Sequence, residues 1–130
     1  MKSFKNYILE QHMGKEETTI GSIHISPAAV ATIAYHAALQ SYGVVGLASR
    51  SLAEGLAHAI TREPSRGVAV HYDNEALSID VYVIVEFGTR VASVASSVAN
   101  AVRYAVEKHV GLKVDAVNVH VQGLRVSNPD

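Results

Sequence analysis

The seven histidines are the side chains in this 130-residue chain best equipped for chemistry. His24, His71 and His120 each lie in a stretch that alternates apolar and polar residues, and each takes the polar side. Asp80 takes the polar side of a further such stretch. If these stretches join one sheet, the imidazoles and the carboxylate share the face opposite the helices. Such a donor set could hold zinc or another divalent ion, and a metal-dependent small-molecule enzyme would follow from it. Against this, the four residues come from separate strands, and no local His-x-x-x-His spacing supports them. A solvated polar face is the plainer interpretation. His109 falls in a last helical turn, where the helix dipole favours a cation. His36 and His58 stand alone on helices.

Other chemistries find less. Serines are plentiful, but none sits in a nucleophile-elbow pattern. Carboxylates cluster only at Glu16-Glu17 and at Asp73 to Glu75, so paired acid–base catalysis has no support. The absence of cysteine excludes disulfides, thiolate metal sites and Cys nucleophiles. Gly43-Val44-Val45-Gly46 matches the GxxG of a KH-type RNA-binding loop. A phosphate clamp wants Lys or Arg between the glycines, however, and a helix cap followed by a buried strand explains the same residues. Lys plus Arg is 11 and Asp plus Glu is 12, which argues against strong nucleic-acid binding. No catalytic residue, cofactor or metal is therefore expected.

The elements that would position these groups are legible from periodicity. Ile20 to Ser26 alternates as a short strand. Ser26-Pro27 starts a helix expected to run to about Tyr42, with Gly43 past its end. On that helix Val30, Ile33, Ala34 and Ala37 form one stripe. Tyr35, Leu39 and Tyr42 form a second, roughly opposite, which makes them a candidate protein-interaction surface. Val44 to Ser49 is a short apolar piece, Ser51 to Ile60 a second helix, and Arg62 to Gly67 a loop.

Val68, Val70 and Tyr72 alternate with Ala69, His71 and Asp73, and Asp73-Asn74-Glu75 is a hairpin turn. The next strand places Leu77, Ile79, Val81, Val83, Val85 and Phe87 on one side, and Ser78, Asp80, Tyr82, Ile84 and Glu86 on the other. A long helix follows, with Val91, Val94, Val98, Val102 and Val106 inward and Gly111 as its cap. Lys113 to Leu124 is the last strand.

The order β-α-(β)-α-β-β-α-β predicts an α+β fold of two layers, with helices on one face of a mostly antiparallel sheet. Nineteen Val and eighteen Ala predict a core of small side chains whose elements approach closely. Residues 1–18 are expected to be a leader, flexible or a short amphipathic turn. Residues 19–126 form one domain and 127–130 a tail. No apolar run is long enough to span a membrane.

Taken in order, Gly21 to Pro27, Tyr42 to Leu47, Leu77 to Gly88, and Gly111 to Leu124 carry a family pattern. The sequence resembles the alkaline-shock-protein family of bacterial stress-associated proteins, also called the general-stress or Gls-type family, over about residues 20–124. It departs where Thr89-Arg90 replaces a small polar residue, and where a basic, Gly-rich loop is reduced to Ser49-Arg50-Ser51. The leader matches no part of the pattern.

The resemblance implies a cytoplasmic, non-enzymatic protein tied to cell-envelope or alkaline stress. It implies self-association, or docking on a membrane-anchor protein at the membrane periphery. The family has no established catalytic residue, so none is carried over.

Overall fold

The computed structural model describes residues 25–49, 60–73 and 76–126. Helix α1 spans Pro27–Leu39. Its start is written in Ser26-Pro27: the Ser26 hydroxyl oxygen accepts from the amides of Ala28 and Ala29 at 3.1 and 3.4 Å, and proline takes a first-turn position that needs no N–H. The helix ends three residues before the expected Tyr42, with Gln40 as its cap. Gly43 instead forms the left-handed corner (φ 88°) that turns the chain into strand β1, Val44–Ala48. Strand β2, Ile60–Thr61, pairs antiparallel with β1. Ile60 is thus a strand residue, not the end of a helix; the rest of the expected 51–60 helix lies outside the described residues, as does the expected strand up to His24. The expected 62–67 loop contains a single helical turn, α2, Pro64–Gly67.

Strands β3, Val68–Asp73, and β4, Ala76–Glu86, form the expected hairpin, with Asp73 opposite Ala76. Helix α3 spans Val91–Val110 and stops at Gly111, which adopts the left-handed conformation (φ 86°). Strand β5, Val114–Arg125, returns parallel to β4. Parallel neighbours need a crossover, and α3 supplies it.

Strand β4 organises the five-stranded sheet of the described residues. Along one edge β5 pairs with it from Leu77 to Glu86. Its other edge is shared: β3 takes Ala76 to Val81, and β1 takes Val83 to Val85. Every pairing except β4–β5 is antiparallel, so the fold is α+β, with a mostly antiparallel sheet.

The core lies between the sheet and helices α1 and α3. Leu77, Ile79, Val81, Val83 and Val85 point into it from β4, and Val94, Val98, Val102, Val106 and Val110 from α3. Valine is a poor helix former, so α3 is held mainly by this burial. Two residues of the expected inward rows fall outside the core. Phe87 follows the last residue of β4, and Val91 opens α3 beyond the end of the sheet; both are exposed.

On α1 the buried stripe is Val30, Ala31, Ala34, Tyr35 and Ala38, with Ile33, Ala37 and Leu39 partly buried beside it. It is rotated from the expected stripe. The small Ala31, Ala34 and Ala38 fill the closest contacts, and Tyr35 finds a polar partner inside the fold.

Candidate functional site on the sheet face and its exposed end

The sheet face away from the helices gathers the polar residues of three strands. Asp80 of β4 lies opposite Asn118 of β5, and Tyr82 lies opposite His120. His71 of β3 lies opposite Ser78, one diagonal step from Asp80. Strict alternation along each strand places these side chains together.

Asp80 is the hub. Its Oδ2 accepts from His71 Nε2 at 3.0 Å. Its Oδ1 accepts from Asn118 Nδ2 at 3.0 Å and from His120 Nε2 at 3.2 Å. The His120 ring stacks on Tyr82 with centroids 4.6 Å apart. Asp80's side chain is 18% exposed, against 58% for His71 and 42% for His120. Burial pushes the Asp80 carboxyl up, but the hydrogen bonds from His120, Asn118 and His71, with the charge of His120, outweigh it. The carboxyl is held below its ordinary range.

The structure therefore brings His71, His120 and Asp80 together, as the alternation implied. His24 lies outside the described residues. The cluster is internally satisfied: each imidazole spends its Nε2 on the carboxylate, and Asn118 takes a further lone pair. Among the described residues no group of three or more His, Asp or Glu is arranged to hold a metal ion. What the arrangement does chemically is to tie β3, β4 and β5 together on the face without helices.

Asp80→Ala is expected to cost about 0.5 to 1.5 kcal/mol at neutral pH, since three half-exposed donors exchange their shared acceptor for water. A carboxyl held low in the folded state stabilises fully above the unfolded value. That contribution is lost as pH falls through the folded one. Urea unfolding at pH 7 and near pH 3 should therefore show the gap between variant and wild type narrowing in acid.

The GxxG segment is not a loop. Gly43 makes the corner before β1, and Gly46 lies buried within that strand, where an added Cβ would meet Ile60 Cγ2 at 2.9 Å. Its glycines serve close packing. His36 and His109 both sit in last helical turns, each exposed.

Tyr35, Leu39 and Tyr42 do not form one exposed stripe. Tyr35 is buried, and its hydroxyl donates to the Thr61 carbonyl at 3.0 Å. Leu39 packs against the core, and Tyr42, beyond the helix, is 79% exposed. The fold divides the row, with β2 meeting its Tyr35 side and Tyr42 left outside.

The structure gives Tyr42 different company. The Glu86 amide donates to the Gly43 carbonyl at 2.8 Å, and the Phe87 amide to the Arg125 carbonyl at 2.8 Å. These bonds gather Tyr42, Phe87, Leu124 and Val126, all largely exposed, at one end of the sheet. Sequence periodicity missed this end because it assigned Phe87 to the core row. The signal was Gly88 directly after Phe87, which ends the strand before that side chain reaches the helices.

A family model described as alkaline shock protein 23 family, cell envelope-related function, matches residues 15–126. Uncharacterized protein YloU of Bacillus subtilis (strain 168) is 44% identical over 114 residues, 86% of this chain and 95% of its own length. Uncharacterized protein Spy1614 of Streptococcus pyogenes serotype M6 is 32% identical over 86% of this chain and 94% of its own. Among solved structures, the MamM CTD in its copper form aligns with TM-score 0.47 and 17% identity, over 78% of this chain and 90% of that one. No helix among the described residues is long and apolar enough to cross a membrane. With the match running from before α1 to just past β5, the chain belongs to the alkaline shock protein 23 family, whose function is cell envelope-related.

Proposed function

We propose that this chain is a non-enzymatic, stress-associated protein of the cytoplasm linked to cell-envelope homeostasis, which acts by self-association or by docking on an anchor protein that recruits it to the membrane periphery. The observation that carries this is the exposed apolar end of the sheet, Tyr42, Phe87, Leu124 and Val126. Phe87, 62% exposed on the corner before α3, is a large aromatic group of the kind that anchors protein interfaces. The family's cell envelope-related function supports the location.

Phe87→Asp removes the aromatic anchor at a solvent-facing position, so the fold should tolerate it within about 0.5 kcal/mol. Fluorescence imaging of tagged protein in the native host should show wild type at the cell periphery and the variant dispersed. Wild type dispersed throughout the cell would overturn the proposal. A variant that stays at the periphery would remove the apolar end from it.

A further inference from the structure

The apolar end of the sheet is interleaved with positive charge. Arg90 lies between Thr89 and Val91, three residues after Phe87, and Arg125 lies between Leu124 and Val126. Both arginines are exposed, and so are Val91 beside the first and Leu124 and Val126 beside the second. Among the described residues neither guanidinium takes part in an ion pair. The carboxylate nearest in the chain, Glu86, is half-buried and engaged within the fold. Asp73, Glu107 and Asp115 lie at the opposite end, where β4 begins and α3 gives way to β5. The end formed by Tyr42, Phe87, Val91, Leu124 and Val126 is therefore both apolar and positively charged.

We propose that this end docks directly on the surface of an anionic phospholipid bilayer. This rests on the peripheral location proposed above and names what the apolar end meets there. Tyr42, Phe87, Leu124 and Val126 are each more than half exposed, so each stands clear of the fold. Acyl chains close around separate protrusions, whereas a protein partner must offer a matching pocket to each. The charge points the same way. Headgroup phosphates meet Arg90 and Arg125 at the level where the amphipathic Tyr42 ring sits, with Phe87 just below it. A two-fold contact between two copies through this end would instead bring arginines against arginines. Two cations and a few side chains make a weak contact, of the size that needs a second signal for stable attachment. Self-association or an anchor protein supplies that signal, and the linked contacts reinforce one another.

The test is co-sedimentation of the purified full chain, at low salt, with vesicles of phosphatidylcholine alone and of phosphatidylcholine and phosphatidylglycerol in equal parts. Circular dichroism confirms that each variant is folded. Wild type should bind the anionic vesicles and leave the neutral ones. Arg90→Gln and Arg125→Gln should each weaken binding about fivefold. Lys113→Gln removes the same charge from the opposite end and should stay within about twofold of wild type. Phe87→Asp should weaken binding about tenfold. Phe87→Trp places the chain's only tryptophan at this end, and its emission should shift to the blue on anionic vesicles. A wild type that stays in solution with both vesicles would overturn the lipid contact and leave an anchor protein as what the end meets. Equal binding to both vesicles would overturn the part played by the arginines. Weakening by Lys113→Gln equal to that by the arginine variants, or tryptophan emission unmoved on binding, would overturn this end as the docking face. The vesicles carry no other protein, so these outcomes are independent of the imaging test above, where a dispersed wild type overturns the peripheral location.

Discussion

Ile79→Ala is expected to lower the free energy of unfolding by about 2 to 5 kcal/mol. Ile79 is fully buried in the middle of β4, flanked by Val70 of β3 and Val117 of β5. Its helix-side neighbours are mostly valine and alanine. Those short, β-branched or minimal side chains cannot swing into the space that three lost methyl and methylene carbons leave. The site should therefore collapse little and sit toward the costly end of the range. Ile79→Val, which removes one carbon, should cost only about 0.5 to 1.5 kcal/mol. Urea denaturation monitored by circular dichroism measures both, with the m-value unchanged if the compactness of the two states is unchanged.

Gly43→Ala should be nearly as damaging, for a different reason. The backbone at Gly43 has φ 88°, a region that costs an L-residue roughly 1 to 2 kcal/mol. A Cβ there would also lie 2.6 Å from Val94 Cγ2 and 3.4 Å from its Cγ1. Val94 is buried in the first turns of α3, and a helical valine has essentially one χ1 rotamer, so it cannot turn aside. Overpacking adds about 1 to 3 kcal/mol. Gly88→Ala is the control. Its φ of 97° is as unfavourable, but nothing lies within 4 Å of the added carbon, so only the backbone penalty of about 1 to 2 kcal/mol should appear. In a double-mutant cycle, Gly43→Ala should cost less in a Val94→Ala background than in wild type, and that difference isolates the steric part.

Gly43 also shows where sequence patterning stops. Its type and place identify it as punctuation between a helix and a strand, and both elements are there. That its missing side chain is the space α3 needs follows only from the approach of α3 to the β1 corner. Tyr35 illustrates the same limit in reverse. On a helical wheel it falls opposite the core stripe and reads as surface; in the fold it is buried, because Thr61 offers a carbonyl to its hydroxyl.

The first described helix and the strand after it, the later order hairpin, long helix and last strand, most of the inward rows of β4 and α3, and the polar face bearing His71, Asp80 and His120 were determined by sequence alone. Each depends on a local period of 2 or 3.6 residues that any tertiary context preserves. The family pattern was legible for the same reason, since its pieces keep their order and spacing. Which residues meet across elements was decided only by the tertiary structure. The convergence on Asp80 needed β4 between β3 and β5. The apolar end needed two backbone hydrogen bonds to bring Tyr42 and Val126 beside Phe87. The parallel pairing of β5 with β4 needed α3 to carry the chain back across the described sheet. Strand neighbours are chosen by the sum of long-range packing, and no single segment carries that sum.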